Sequence, residues 1–221
     1  MAGRFQEHNF IWLTIALAGL MLGGALSRSL PNSMALQIFE VGSVALLILS
    51  LVSLKSARRW MKWFVLIIGI MLSTVVAQEL TKSVIYEYLY LGLLFLFLAL
   101  TAWMVGGAVL FSRTVNFNRV IGSVSLYLLI GLLFSIVYTV LLEFSPNAIK
   151  GLEPANWYDN MPQTTYFSFV TLTTLGYGDM SPVTHVAEMI VVIQAVTGMF
   201  YLAIIVASLI GALRFQQPPE N

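Results

Sequence analysis

The stretch that decides the fold is Thr171-Leu172-Thr173-Thr174-Leu175-Gly176-Tyr177-Gly178-Asp179. It lies in a region with four prolines, residues 143–182, between two long apolar runs. Two glycines around one tyrosine allow backbone dihedrals that other residues resist. The backbone carbonyls can then point toward one axis and replace the water around a dehydrated cation, with the Thr174 hydroxyl at the inner end. One chain supplies one set of carbonyls, so a closed ring requires several copies around an axis.

The composition is that of an integral membrane protein. Of the 221 residues, 59% are hydrophobic and 10% are charged, whereas a globular protein carries about 25% charged residues. So little charge cannot cover a water-facing surface, and most of the chain must therefore contact lipid. The net charge of +1 excludes nucleic-acid binding as a main role. The absence of cysteine excludes disulfides and cysteine zinc sites.

Six apolar runs approach or exceed the roughly 20 residues that cross a bilayer. They cover residues 10–26, 34–54, 63–77, 86–111, 120–142 and 186–213. The apolar patch at residues 166–175 is too short to span, and it predicts a re-entrant segment surrounded by protein or by a water-filled path. We therefore predict an all-α integral membrane protein with six transmembrane helices. Residues 1–112 are expected to form a four-helix domain and residues 113–221 a second domain.

The distribution of Lys and Arg predicts the orientation. With the N-terminus inside, eight of these residues lie on the inner face and three on the outer face, as the positive-inside rule requires. We therefore expect a multi-pass protein of the cell membrane with both termini in the cytoplasm. Most acidic residues then lie at the outer side, where they raise the local concentration of cations.

The string from Thr174 to Asp179, with the threonines before it, resembles the selectivity filter of potassium channels. The resemblance implies a homotetramer in which the second domain is a pore domain, with outer helix 120–142, pore helix 163–173, filter 174–179 and inner helix 186–213. It implies that K⁺ is bound by the carbonyls of Thr174, Leu175, Gly176 and Tyr177 and by the Thr174 hydroxyl, with Gly178 completing the filter. Leu175 stands where valine is commoner, but only its carbonyl faces the ion, so selectivity is expected to survive.

The same resemblance assigns supporting roles around the filter, and these fall on Thr173, Val170, Tyr166, Phe167 and Asp179. Tyr166 and Phe167 occupy positions where relatives carry an aromatic cuff, and Val170 replaces a buried glutamate found in some bacterial channels. Independently of the resemblance, Asp159, Asn160 and Pro162 predict the start of the short helix, because a capping side chain precedes a first-turn proline.

The last apolar run contains candidate gating residues. Gly198 follows Asp179 by 19 residues, the spacing at which relatives carry a hinge glycine, although a small residue for close helix packing is the alternative. Leu202, Val206 and Ile210 recur every four residues on one face. If that face lines a pore it can close by dewetting, and otherwise it packs against the fifth span.

The first four spans lack the features of a voltage sensor. Moving one charge across the membrane potential is worth about 2.3 kcal/mol per 100 mV. The fourth span contains no Lys or Arg, so it offers no positive charge to move. Glu40 lies within the second span, and an ionisable group at that depth is a candidate proton or ligand sensor. The alternative is a carboxylate near enough to the interface to be hydrated.

These observations predict a K⁺-selective channel that conducts passively and is not gated by an arginine-type voltage sensor. The sequence shows no nucleophile–base pair and no metal constellation, so an enzyme is not expected. No cofactor is expected beyond K⁺ as the permeant ion. The expected partners are further copies of the chain, membrane lipids and K⁺. Two alternatives stay open, a component of a K⁺ uptake transporter and a poorly conducting regulatory subunit that borrows the pore fold.

Overall fold

The computed structural model describes residues 10–27, 42–45, 47–48, 58–81, 83–110, 117–152 and 155–214. Its helices are α1 (Phe10–Ser27), α2 (Arg58–Thr81), α3 (Val84–Leu110), α4 (Phe117–Phe144), α5 (Trp157–Leu172) and α6 (His185–Arg214). Two short strands, β1 (Ile149–Lys150) and β2 (Ser181–Pro182), form an antiparallel pair. Most of the predicted second span, residues 34–54, lies outside the described residues, as does Glu40.

The described residues have the architecture of an all-α, multi-pass membrane protein. Four of its helices are long and apolar enough to cross a membrane, over Met61–Thr81, Val84–Val109, Phe117–Phe144 and His185–Ile205. The apolar stretch of α1, Phe10–Ala25, is shorter. Helices are the expected form because a helix satisfies its backbone hydrogen bonds internally, which a segment in lipid requires.

The chain divides into two compact units, residues 1–102 and 103–221. In the first unit α2 and α3 pack through aromatic side chains: the rings of Phe64 and Phe97 meet edge to face with centroids 5.0 Å apart. The hydroxyl of Tyr90 is hydrogen-bonded to that of Ser43. Buried hydroxyls in membrane proteins find such partners because lipid offers none.

In the second unit, α4 packs along α5 and both contact α6. Its apolar core contains six buried residues, namely Tyr138, Leu142, Ala148, Ile149, Phe167 and Ala187. A cluster of hydroxyls lies beside this core. The Ser135 hydroxyl is 2.8 Å from that of Thr165, and the Thr139 hydroxyl is 2.7 Å from that of Thr164. These bonds join two positions one turn apart on α4 to two adjacent residues of α5.

Arg119 joins the ends of three helices in this unit. It lies in the first turn of α4 and is buried, with 6% of its surface exposed. Its Nε donates to the carbonyl of Val109 in α3 at 2.8 Å, and its Nη2 donates to the Ser208 hydroxyl in α6 at 2.9 Å. A guanidinium near the C-terminal end of a helix interacts favourably with the helix dipole.

The short helix α5 begins earlier than the sequence predicts. It begins at Trp157, six residues before Gln163, and encloses Pro162 in its second turn. The predicted capping residues, Asp159 and Asn160, lie inside the helix, where the side-chain nitrogen of Asn160 donates to the Ala155 carbonyl at 2.7 Å. Trp157 is 2% exposed, so tertiary burial fixes the first turn, and a proline so near the start removes only one backbone hydrogen bond.

Candidate functional site

The predicted filter begins where α5 ends, and its first amides close the end of that helix. The amides of Thr173 and Thr174 donate to carbonyls of the last turn at 3.0 Å, and the Leu175 amide donates to the Val170 carbonyl at 3.0 Å. Gly176 donates to the same Val170 carbonyl at 3.4 Å. The last carbonyls of a helix lack partners within the helix, so these bonds both satisfy them and fix the start of the loop.

Every second residue of this loop has a positive φ. The values are +58° at Thr174, +56° at Gly176 and +82° at Gly178. Glycine adopts this region at no steric cost, whereas a β-branched residue there is rare and costs about 1–2 kcal/mol. A Cβ added at either glycine would meet no atom within 4 Å. The glycines are therefore required by the backbone conformation and not by crowding within the chain.

The whole loop faces away from the rest of its own chain. Residues 173–179 are all exposed, with Leu175 55% and Tyr177 67% exposed. Burial of such side chains stabilises a fold, and neither Leu175 nor Tyr177 is buried within its own chain. The arrangement leaves the loop open to a surface that the single chain does not supply.

The predicted aromatic pair divides between two environments. The Tyr166 hydroxyl donates to Asp179 Oδ2 at 2.8 Å, which joins α5 to the C-terminal end of the loop. This hydrogen bond raises the pKa of the Tyr166 hydroxyl. Phe167 instead is buried against Tyr138 of α4, with ring centroids 4.9 Å apart at 67°. Of the pair, Tyr166 contacts the loop directly and Phe167 anchors α5 to the core.

The segment that follows α4 contacts the same C-terminal end of the loop. β1 and β2 pair Ile149 with Pro182 and Lys150 with Ser181. At Gly151, which has a φ of +88°, a Cβ would lie 2.2 Å from the Asp179 carbonyl oxygen. Only glycine allows that approach without a shift of the backbone, so the loop after α4 braces the segment that follows Tyr177.

Residues 123–215 match the family model described as "Ion channel". This part of the second unit is therefore similar to ion channels. The match covers α4, α5, the loop and α6, which is less than half of the chain. It points to a transport protein rather than an enzyme, and to ion permeation through an oligomeric assembly. No solved structure matches the chain.

Within the second unit, Gly198 lies at a close helix contact. A Cβ there would be 2.2 Å from the Leu172 carbonyl oxygen, so α6 approaches the end of α5 with no room for a side chain. The same carbonyl accepts a hydrogen bond from the Tyr127 hydroxyl at 3.2 Å. This geometry supports the packing role for Gly198, while the hinge stays a prediction.

The predicted gate is only partly described. Leu202 is 49% exposed in the single chain, and the side chains of Val206 and Ile210 lie outside the described residues.

Val170 and Thr173, two of the predicted supporting residues, connect the loop to the end of α5. The Val170 carbonyl accepts hydrogen bonds from two loop amides, and the Thr173 hydroxyl donates to the Phe169 carbonyl at 2.7 Å.

A group of residues that joins the helices of the second unit was not predicted from the sequence. These residues are Gly131 and Tyr138 in α4, Ser168 in α5 and Gln194 in α6. The available signal was Gln194, an amide in the middle of an apolar span, where a polar side chain is expensive and needs partners. Gly151 carried no signal, because its positive φ follows from a contact with a distant segment.

Proposed function

We propose that the protein is a K⁺-selective channel, built from four copies of the chain, that conducts K⁺ passively across the cell membrane. The observation that carries the proposal is the alternation of positive φ at Thr174, Gly176 and Gly178 within a filter-like string. Such an alternation favours carbonyls aimed to one side of the strand, the arrangement that replaces the hydration shell of K⁺. α5 acts as the pore helix, and α4 and α6 as the outer and inner helices.

The exposure of the loop and of α6 favours several copies around one axis. In an 18-residue stretch of α6, 11% is buried, against 50% in α4. The exposed apolar side chains of α6 include Val186, Met189 and Ile193. A ring of four copies encloses the loops and gives each ion carbonyls from four strands. The C-terminal end of α5, with its partial negative charge, then points toward the central cavity.

The first experiment measures K⁺ and Na⁺ flux in liposomes that contain the purified protein. We expect faster K⁺ flux than Na⁺ flux, with block by Ba²⁺. Gly176→Ala is expected to abolish the K⁺ flux, because alanine at this φ is strained by about 1–2 kcal/mol and favours another carbonyl direction. Gly92→Ala is the matched control. Gly92 lies inside α3 with no atom within 4 Å of an added Cβ, and this variant should conduct as the wild type does.

The other outcomes identify the alternatives. Equal K⁺ and Na⁺ flux would refute selectivity. The absence of flux from the purified chain would favour a regulatory subunit, and flux restored by a second protein would establish that role. K⁺ uptake against a gradient, driven by another ion, would indicate a transporter component. With no other ion gradient imposed, K⁺ flux down its own gradient indicates the channel. The uptake that indicates a transporter is measured in a second assay, with a Na⁺ or proton gradient imposed.

A further inference from the structure

Gln194 is a buried amide in the middle of α6. Its side chain is 0% exposed, and apolar residues flank it on both sides. Burial of an amide without hydrogen bonds costs several kcal/mol in an apolar environment. Its partners therefore decide how α6 can sit against the neighbouring helices.

The hydrogen bonds of Gln194 form a chain with one direction. The Tyr138 hydroxyl donates to Gln194 Oε1 at 2.6 Å. Gln194 Nε2 donates to the Ser168 hydroxyl at 2.7 Å and to the Ser168 carbonyl at 3.0 Å. The Ser168 hydroxyl then donates to the Gly131 carbonyl at 2.6 Å. A backbone carbonyl can only accept, so Nε2 must face Ser168 and Oε1 must face Tyr138.

The hydrogen bonds between Ser168 and Gln194 lie one helical turn before a second contact between α5 and α6. Ser168 and Leu172 are four residues apart on α5, and Gln194 and Gly198 are four residues apart on α6. A Cβ at Gly198 would lie 2.2 Å from the Leu172 carbonyl oxygen. Residues four apart lie on one helix face, so the two contacts form one line that ends where the filter begins. A rotation or slide of α6 must break the first contact to change the second.

We infer that Gln194 is a positioning residue for the filter. Through Ser168 it holds the last two turns of α5 at a fixed rotation against α6, and through Tyr138 it holds both against α4. Thr173 to Gly176 are bonded to the same last turn of α5, so a displaced α5 displaces the filter. The inference rests on the proposed function, because it assigns the network to the conduction of K⁺. Displacement of α6 thus reaches the filter through one polar side chain.

Tyr138→Phe is the mildest test of the network. It removes one hydroxyl and keeps the ring that packs on Phe167. Gln194→Leu removes the central amide at similar volume, and the double variant tests whether the two act through one chain. Thr101→Val is the matched control, since Thr101 is 0% exposed and donates to the Phe97 carbonyl within its own helix α3.

The measurement is the ratio of initial K⁺ to Na⁺ flux per reconstituted oligomer in liposomes, with thermal unfolding recorded beside it. We expect Tyr138→Phe, which loses one buried hydrogen bond, to lower the ratio about ten-fold. Gln194→Leu, which loses three, should lower it at least as much. The double variant should lose no more than Gln194→Leu alone, because changes within one network are not additive. Thr101→Val should keep the wild-type ratio.

Each contrary result has a distinct meaning. A wild-type protein without preference for K⁺ would overturn the proposed function and this inference together. A selective wild type, with both variants equally selective but less stable to heat, would overturn the inference alone, because the network would then only hold the fold. Additive losses in the double variant would also overturn it. If Gln194→Leu does not assemble, the flux ratio of Tyr138→Phe decides.

Discussion

Gly151 lies where the loop after α4 touches the outer end of the predicted filter. Its φ is +88°, and a Cβ would lie 2.2 Å from the Asp179 carbonyl oxygen and 3.3 Å from Met180 Cα. Those atoms are backbone, so relief requires a shift of a whole segment and not of a flexible side chain. Asp179 also accepts the hydrogen bond of Tyr166 at 2.8 Å, so a shift there disturbs a second contact.

Gly151→Ala is therefore expected to destabilise the protein and to weaken K⁺ flux. The strained φ costs about 1–2 kcal/mol, and the forced contact adds about 1–3 kcal/mol. Thermal unfolding of the purified protein, compared with that of Gly92→Ala, measures the loss. An unfolding temperature equal to that of the wild type would show that the loop after α4 does not brace Asp179.

The residues of the site differ in how far the sequence predicts them. The string from Thr174 to Asp179 is predictable because its glycines adopt a positive φ that few other residues tolerate, which is a local property of the backbone. The opposite roles of Tyr166 and Phe167 are not, because adjacent residues on a helix face different neighbours, about 100° apart, and those neighbours lie far along the chain. The role of Gly151 is not predictable either, because the residue that it contacts, Asp179, lies far along the chain.

Among the helices, hydropathy predicts the long spans and misses the start of the short helix. α3, α4 and α6 begin and end within a few residues of the predicted runs at 86–111, 120–142 and 186–213. An apolar run records contact with lipid over about 20 residues. α5 packs mainly on protein, with buried polar residues such as Thr164 and Ser168, so no apolar run marks its start at Trp157.

Gly198→Ala distinguishes the two roles of that glycine by the sign of its effect. As a hinge alone, Gly198 in α6 weakens the helix, and alanine would stabilise it by up to about 1 kcal/mol. As a packing residue against the Leu172 carbonyl, it admits no Cβ, and alanine would destabilise by about 1–3 kcal/mol. We expect a lower unfolding temperature, measured by thermal denaturation of the purified protein.

A second glycine calibrates this comparison. Gly92 is also helical, and an added Cβ there meets nothing within 4 Å, so Gly92→Ala reports helix propensity without a clash. A rise in unfolding temperature for both variants would contradict the packing role and favour the hinge. A rise for Gly92→Ala with a fall for Gly198→Ala is the result that the close contact of α6 and α5 predicts.

At the scale of the whole molecule, a single chain leaves exposed the two parts that we propose line the pore. The loop at 173–179 is exposed throughout, and on α6 the side chains of Val192, Phe200 and Ile204 are each more than half exposed. Lipid can cover apolar side chains but cannot satisfy a strand of carbonyls. The proposed ring of copies would cover both. The sequence of one chain predicts the number of copies only through its resemblance to potassium channels.

Mixing of wild-type and Gly176→Ala chains counts those copies. If four chains form one pore and a single altered chain disables it, equal random mixing leaves about one sixteenth of the wild-type K⁺ flux per chain, since only pores with four wild-type chains conduct. A pore of two chains would leave about a quarter, and a chain that conducts alone would leave about half. Liposome flux after co-expression measures the fraction, with Gly92→Ala in place of Gly176→Ala to show that mixing itself has no effect. We expect the lowest of the three values, because a filter strand with Gly176 replaced faces the same ions as the other three strands of its ring.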